Sequence, residues 1–229
     1  MALTRAALVT PAVVFGLLVT GCGSDQDPGA DTGPPSQTAT SAAADSSAAG
    51  AAGASAAGDT IADYLQANGI AQTLVKRGEP GVPTLNLPMP AGWQDVGANT
   101  PQDAYGAIYF ADPAVAGNPP AIIARLARLS GDVDQAKVLE LAPNAIRNQP
   151  GYRGPATGRA GQLGGFAAAE IAGTVDQKGK PAFVARKTVV IPGQDGTYLL
   201  ALDAQGTPDQ EPALTKAMSV IDAETTIDP

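Results

Sequence analysis

Residues 165–203 read GFAAAEIAGTV, DQKGKP, AFVARKTVVI, PGQDG and TYLLALD in succession, and this run decides the fold. Three β-forming stretches, Gly165 to Val175, Ala182 to Ile191 and Thr197 to Asp203, are separated by compact turn sequences at Gln177-Lys178-Gly179 and Pro192-Gly193-Gln194-Asp195-Gly196. Short Gly-bearing connections return the chain alongside itself, so the three stretches are predicted to form an antiparallel meander.

The flanking sequence supplies what such a sheet needs to cover it. Downstream, Thr207-Pro208-Asp209-Gln210-Glu211 is a helix start, with Pro at the first helical position and acids in the first turn. Leu214, Met218 and Ile221 then share one face, and this last helix is expected to lie over the sheet. Upstream, Tyr105 to Phe110 and Ala121 to Leu129 read as two central strands divided by the loop from Asp112 to Pro120. Asp132 is expected to cap a helix running to about Leu141, with Pro143 at its end or kink and a further turn to Asn148. Pro83 to Pro88 alternates like a strand, and a proline at each end suggests an edge position. Thr60 to Ala67 reads as a first helix behind Asp59 and Thr60, turning Ile61, Tyr64 and Leu65 inward and stopping at Asn68-Gly69. Helix, strand, two strands, helix, three strands and helix make an α+β domain with an antiparallel β-sheet flanked by helices, not an alternating α/β one.

This domain, residues 59–229, follows two segments of a different kind. Arg5 precedes an apolar stretch from Ala6 to Val19, about 14 residues and too short for a hydrocarbon core of roughly 30 Å. It ends in Val19-Thr20-Gly21-Cys22, an arrangement similar to the lipobox of bacterial lipoproteins. Residues 1–21 are therefore expected to be a lipoprotein signal peptide, with Cys22 the lipid-attachment residue. A diacylglycerol on the Cys22 sulfur would partner the chain with the membrane, because two or three acyl chains anchor durably where one binds marginally. That expectation puts the mature chain on the extracytoplasmic face of the cell membrane, on the periplasmic or cell-wall side. From Gly23 to Gly58 there is no Val, Ile, Leu, Met or aromatic residue, so residues 22–58 read as a lipidated cysteine and a disordered tether. A flexible chain of about 36 residues reaches roughly 30 to 35 Å; it is a spacer or plain slack, with hydroxyls such as Thr38 and Thr40 open to sugars.

Composition removes several functions. The net charge is −8 and no Lys or Arg run occurs, which takes away the counterion-release term that drives nucleic-acid binding. The chain has one Cys and no His, which excludes Ser-His-Asp and Cys-His hydrolases, zinc sites built on those residues and an intrachain disulfide. Asp132 and Asp134 form an Asp-x-Asp without the further ligands of a calcium loop. No metal, cofactor or catalytic residue is expected, and the chain is read as a non-enzyme.

Aromatic residues are only 4% of the chain, so their clustering carries information. Tyr105, Tyr109 and Phe110 either line an apolar groove for an acyl chain or pack the core; alternation puts the two tyrosines on one face and Phe110 on the other. Trp93, behind a Pro-Ala-Gly turn, either grips a ligand or plugs the end of the sheet. These four are the candidate ligand-binding residues. Arg125 and Arg128 are expected to point to opposite faces of their strand.

Thr60-Ile61-Ala62-Asp63-Tyr64-Leu65, Gly81-Val82-Pro83 through Leu87-Pro88-Met89-Pro90-Ala91-Gly92-Trp93, Gly131-Asp132-Val133-Asp134 and Pro150-Gly151-Tyr152, in this order behind a lipobox and tether, resemble the LpqN/LpqT lipoproteins of mycobacteria and related actinobacteria. The resemblance covers the mature domain. It implies a fold similar to the Mog1/PsbP type and a non-enzymatic envelope protein, with involvement in mycolic-lipid trafficking proposed within the family. Only the lipobox transfers residue by residue, to Cys22. The expected role is a binding module for an apolar or amphiphilic cell-envelope lipid, or for a membrane transport protein that exports such a lipid. The alternative is a structural or protein-interaction lipoprotein with no small ligand.

Overall fold

A computed structural model describes residues 58–229; Cys22, the expected signal peptide and nearly all of the expected tether lie outside the described residues. The meander forms as expected and runs longer than its apolar content suggests. Strands β7 (Phe166–Gln177), β8 (Lys180–Gly193) and β9 (Gly196–Gly206) pair antiparallel in sequence order. The β7–β8 turn is Lys178-Gly179, both with positive φ, of 54° and 77°. Two left-handed residues match the twist of the strands they join, which is why a Gly stands second and why Lys178 tolerates an unusual conformation.

The remaining strands are β1 (Ala71–Val75), β2 (Thr84–Asn86), β3 (Trp93–Asp95), β4 (Gly106–Phe110), β5 (Ala121–Ser130), β6 (Arg159–Leu163) and β10 (Thr226–Asp228). The main sheet runs β3-β4-β5-β9-β8-β7-β6, and β1 also pairs with β5. One edge of β5 is shared end to end: β4 takes Ala121 to Ala124 and β1 takes Leu126 to Ser130. All these pairings are antiparallel.

Four strands, β1, β3, β6 and β10, were not expected, and the segment from Pro83 to Pro88 needs correction. Its core, β2, is no edge of the main sheet; it pairs with the C-terminal β10 in a separate two-stranded ribbon. The helix cap also moves. Asp134, not Asp132, begins α2 (Gln135–Leu141), its side chain accepting from the Lys137 N–H at 3.0 Å. Helix α1 (Ile61–Ala67) opens on the expected Thr60, which forms a capping box with Asp63, and Tyr64 of α1 accepts a hydrogen bond at its hydroxyl from Asp134 N–H. Helices α3 (Asn144–Arg147) and α4 (Glu211–Glu224) complete the set.

Apolar clusters pack on both faces of the sheet. On one, Ile122, Ala124 and Leu126 of β5, Leu200, Leu202 and Ala204 of β9, and Val189 and Ile191 of β8 join Leu214, Ala217 and Ile221 of α4 in the main core. Leu85 of β2 and Ile227 of β10 extend it. On the other face, Leu129 packs with Leu65 and Ile70 near α1, and Ile171, Val175 and Val184 pack with Ile146 of α3. This is the α+β antiparallel sheet flanked by helices that the sequence predicts.

Candidate functional site

The four candidate aromatic residues do not converge. Trp93 and Phe110 stand directly opposite one another on β3 and β4, ring centroids 5.7 Å apart and tilted by 43°. Trp93 belongs to the main core and is only 6% exposed, and the partly buried Phe110 packs against that core. The turn before it is built for this contact: Gly92 has φ +82°, and a Cβ there would stand 2.8 Å from the Phe110 ring. Tyr105 also enters the main core, which corrects the expectation that it shares a face with Tyr109. Its N–H donates to the Ala124 carbonyl although Gly106 is the residue paired with Ala124. Two residues therefore oppose one, as in a bulge, and the alternation shifts by one position. Tyr109 alone takes the other face, where its hydroxyl donates to Gln94 Oε1 at 3.0 Å.

Beside Tyr105 the surface opens. The Arg77 guanidinium lies 5.6 Å from the Tyr105 ring centroid and 3.6 Å from the Asp95 carboxylate. Arg77 also lines a groove of about 450 Å³ along β2, together with Leu85, Asn86, Leu87, Pro88 and Glu224. Leu85 is buried in the core and Leu87 packs partly against it, so the groove has a narrow aliphatic strip, chiefly Leu87 and Pro88, within a mostly polar lining that carries charges of both signs. Met89, two residues on, is half exposed. The pairing of β2 with β10 brings Glu224, two residues before β10, beside this segment.

Two ionic clusters lie on the sheet. Lys187 of β8 is almost fully buried beneath α4, its ammonium contacting Glu170 at 2.8 Å, Asp222 of α4 and the Gln162 carbonyl. Burial pushes the Glu170 carboxyl up, but hydrogen bonds and charge from Arg159 and Lys187 outweigh it and hold it below its ordinary value. A depressed carboxyl stabilises the fold above the ordinary carboxylate range and loses that contribution as pH falls through its lowered value. The urea midpoint is therefore expected to hold from pH 7 to 5 and fall below about pH 4, with a shallower fall in Glu170→Gln. Lys187→Met strips the cation from two carboxylates; since Asp222 is partly exposed and Glu170 keeps Arg159, the cost is expected near 2 kcal/mol, read by urea denaturation at pH 7. The second cluster joins Arg125, Arg186, Asp203 and Asp103 on the opposite face. Among the described residues no three His, Cys, Asp or Glu side chains converge as metal ligands.

An antiparallel sheet with helices packed on both faces, behind a segment similar to a lipobox, points to a bacterial lipoprotein of α+β type. The family described as Probable lipoprotein LpqN matches residues 57–228, and the chain belongs to that family. Lipoprotein LpqN of Mycobacterium tuberculosis is 44% identical over 170 residues, spanning 74% of this chain and 74% of that protein. The crystal structure of that organism's LpqN, described as involved in cell envelope biogenesis, superposes with a TM-score of 0.71 at 44% identity, covering 75% of this chain and 98% of that one. A Pseudomonas aeruginosa protein of unknown function, PA94, a putative regulator, aligns at a TM-score of 0.34 and 19% identity over 64% of this chain and 93% of that chain, too slight a likeness to support any inference. As a member of a lipoprotein family, the chain is a membrane-anchored envelope protein.

Proposed function

We propose that this chain is a non-enzymatic binding module held on the extracytoplasmic face of the cell membrane by a diacylglycerol on Cys22, and that the β2 groove receives an apolar or amphiphilic envelope lipid. The observation that carries this reading is the strip of Leu85, Leu87 and Pro88 lying beside Arg77 and Glu224: aliphatic surface for a chain, charged groups for a head. Relation to an LpqN involved in cell envelope biogenesis supports the setting. A binding role rather than a catalytic one is supported by the absence of His from the sequence and by the commitment of Lys187, Glu170 and Asp203 to ion pairs. An envelope lipid exporter is the partner this role calls for, with the exposed Met89 beside the groove as contact surface.

Fluorescent fatty acid and a fluorescent acylated disaccharide, titrated into the purified chain, test the groove. Saturable binding is expected, weakened about tenfold or more by Leu87→Asp, since a carboxylate replaces aliphatic contact worth roughly 1.5 kcal/mol or more. Absence of saturable binding to the wild type, or equal affinity in the variant, would count against this assignment.

A further inference from the structure

The helices leave part of one sheet face uncovered. The apolar clusters beneath α1 and α3 include no residue of β4, of β5 from Ala121 to Arg125, or of β9 from Ala201 to Gln205. This open part holds Tyr109, Ile123, Arg125 and Asp203, all half-buried, with Arg186 of β8 beside them.

The register explains why the charges meet. Asp203 of β9 is paired with Arg186 of β8 on one side and with Ile123 of β5 on the other, and Arg125 lies two residues along β5 from Ile123. One carboxylate therefore stands between two guanidiniums. Its Oδ2 accepts from Arg125 Nη1 at 2.8 Å and its Oδ1 from Arg186 Nε. Arg125 Nε donates to Asp103 Oδ2 at 2.7 Å, from the loop before β4.

These bonds leave donors over. Among the described residues, both terminal nitrogens of Arg186 and Nη2 of Arg125 have no protein acceptor. They are not buried, because no buried side-chain nitrogen or oxygen lacks a partner, and the two arginine side chains are 27% and 31% exposed. Asp203, at 15%, has both oxygens occupied. Two guanidiniums on strands of one sheet, steered by a shared acceptor, lose little further freedom when they close on an oxyanion. Asp103, half exposed on a loop, pairs directly with Arg125 Nε, so its carboxylate competes with an incoming anion for that guanidinium. Tyr109 and Ile123 offer apolar contact to whatever the anion is attached to.

We propose that Arg125 and Arg186 form a seat for a phosphate-type oxyanion, on the face of the sheet opposite the β2 groove and independent of it. The anion arrives either as the phosphodiester of a lipid headgroup or as free phosphate.

The test is an NMR titration of the purified full chain at constant ionic strength, with inorganic phosphate in one arm and monomeric dihexanoyl-phosphatidylglycerol in the other. Saturable shifts at Arg125, Arg186 and Tyr109 are expected, with phosphate affinity on the order of millimolar. Arg186→Gln is expected to weaken binding about tenfold, one charge-assisted contact being lost. Asp103→Asn, on the exposed rim, is expected to tighten it several-fold by removing a competing negative charge while keeping an acceptor for Arg125 Nε. Stronger binding of the lipid assigns the seat to a headgroup, and equal or weaker binding of the lipid assigns it to the free anion. No saturable response of the folded wild type in either arm, or unchanged affinity in both variants, overturns the proposal.

Discussion

Trp93→Ala is expected to lower stability by about 3 to 5 kcal/mol, a large share of the total for a domain of this size. Trp93 packs against Phe110 in the main core with almost no exposed surface, and the Gly92 turn brings backbone so close to the Phe110 ring that no larger residue would fit. Deleting the indole leaves a void that Phe110 cannot fill without releasing that turn. The apparent melting temperature should fall by about 10 °C, at roughly 2 to 4 °C per kcal/mol. Below the transition, fluorescent fatty acid should still bind the variant as it binds the wild type, because Trp93 does not line the β2 groove. A small stability loss combined with lost fatty-acid binding would move the ligand to the β3–β4 edge and displace the groove from its role.

The contrast between Trp93 and the groove shows what a single sequence can carry. Strands β5, β7, β8 and β9 were legible because each is long and buries several apolar residues, so pattern and turn chemistry agree. Strands β1, β6 and β10 bury one residue each, Val75, Leu163 and Ile227, and an alternation of period two has nothing to register on a single point. The short β3, Trp93–Asp95, buries only its tryptophan, so it read as the end of a turn. Helix starts were legible to within three residues, Pro208 opening a 3-10 turn that leads into α4 at Glu211; Asp132 and Asp134 are both competent caps, and only backbone geometry chooses between them.

The sites were less legible because they depend on strand order. Arg125 and Arg186 meet through Asp203, which lies on the strand inserted between theirs; a hairpin-by-hairpin reading puts β4 and β5 together but does not place β9 against β5. The groove depends on β2 finding β10 at the opposite end of the domain. Tyr105 and Tyr109 were assigned to a shared face by simple alternation, and one extra residue opposite Ala124 undoes that assignment.

Cys22→Ala is expected to abolish incorporation of labelled fatty acid completely, since no other cysteine exists in the chain to take a thioether-linked diacylglycerol. Each methylene buried in the bilayer contributes about 0.8 kcal/mol, so two acyl chains dominate every other membrane attraction available here. The net charge of −8 disfavours non-specific adsorption to an anionic membrane surface, and among the described residues no helix is long and apolar enough to cross a membrane. Fractionation alone is a weaker readout than labelling: an unprocessed variant keeps the apolar segment Ala6 to Val19, which can hold it loosely at the interface. The two forms separate by carbonate wash, which releases a loosely held chain and leaves an acylated one in place. An unlabelled wild type, or a Cys22→Ala variant that still takes up fatty acid and resists the wash, would remove the anchor on which an extracytoplasmic binding module depends.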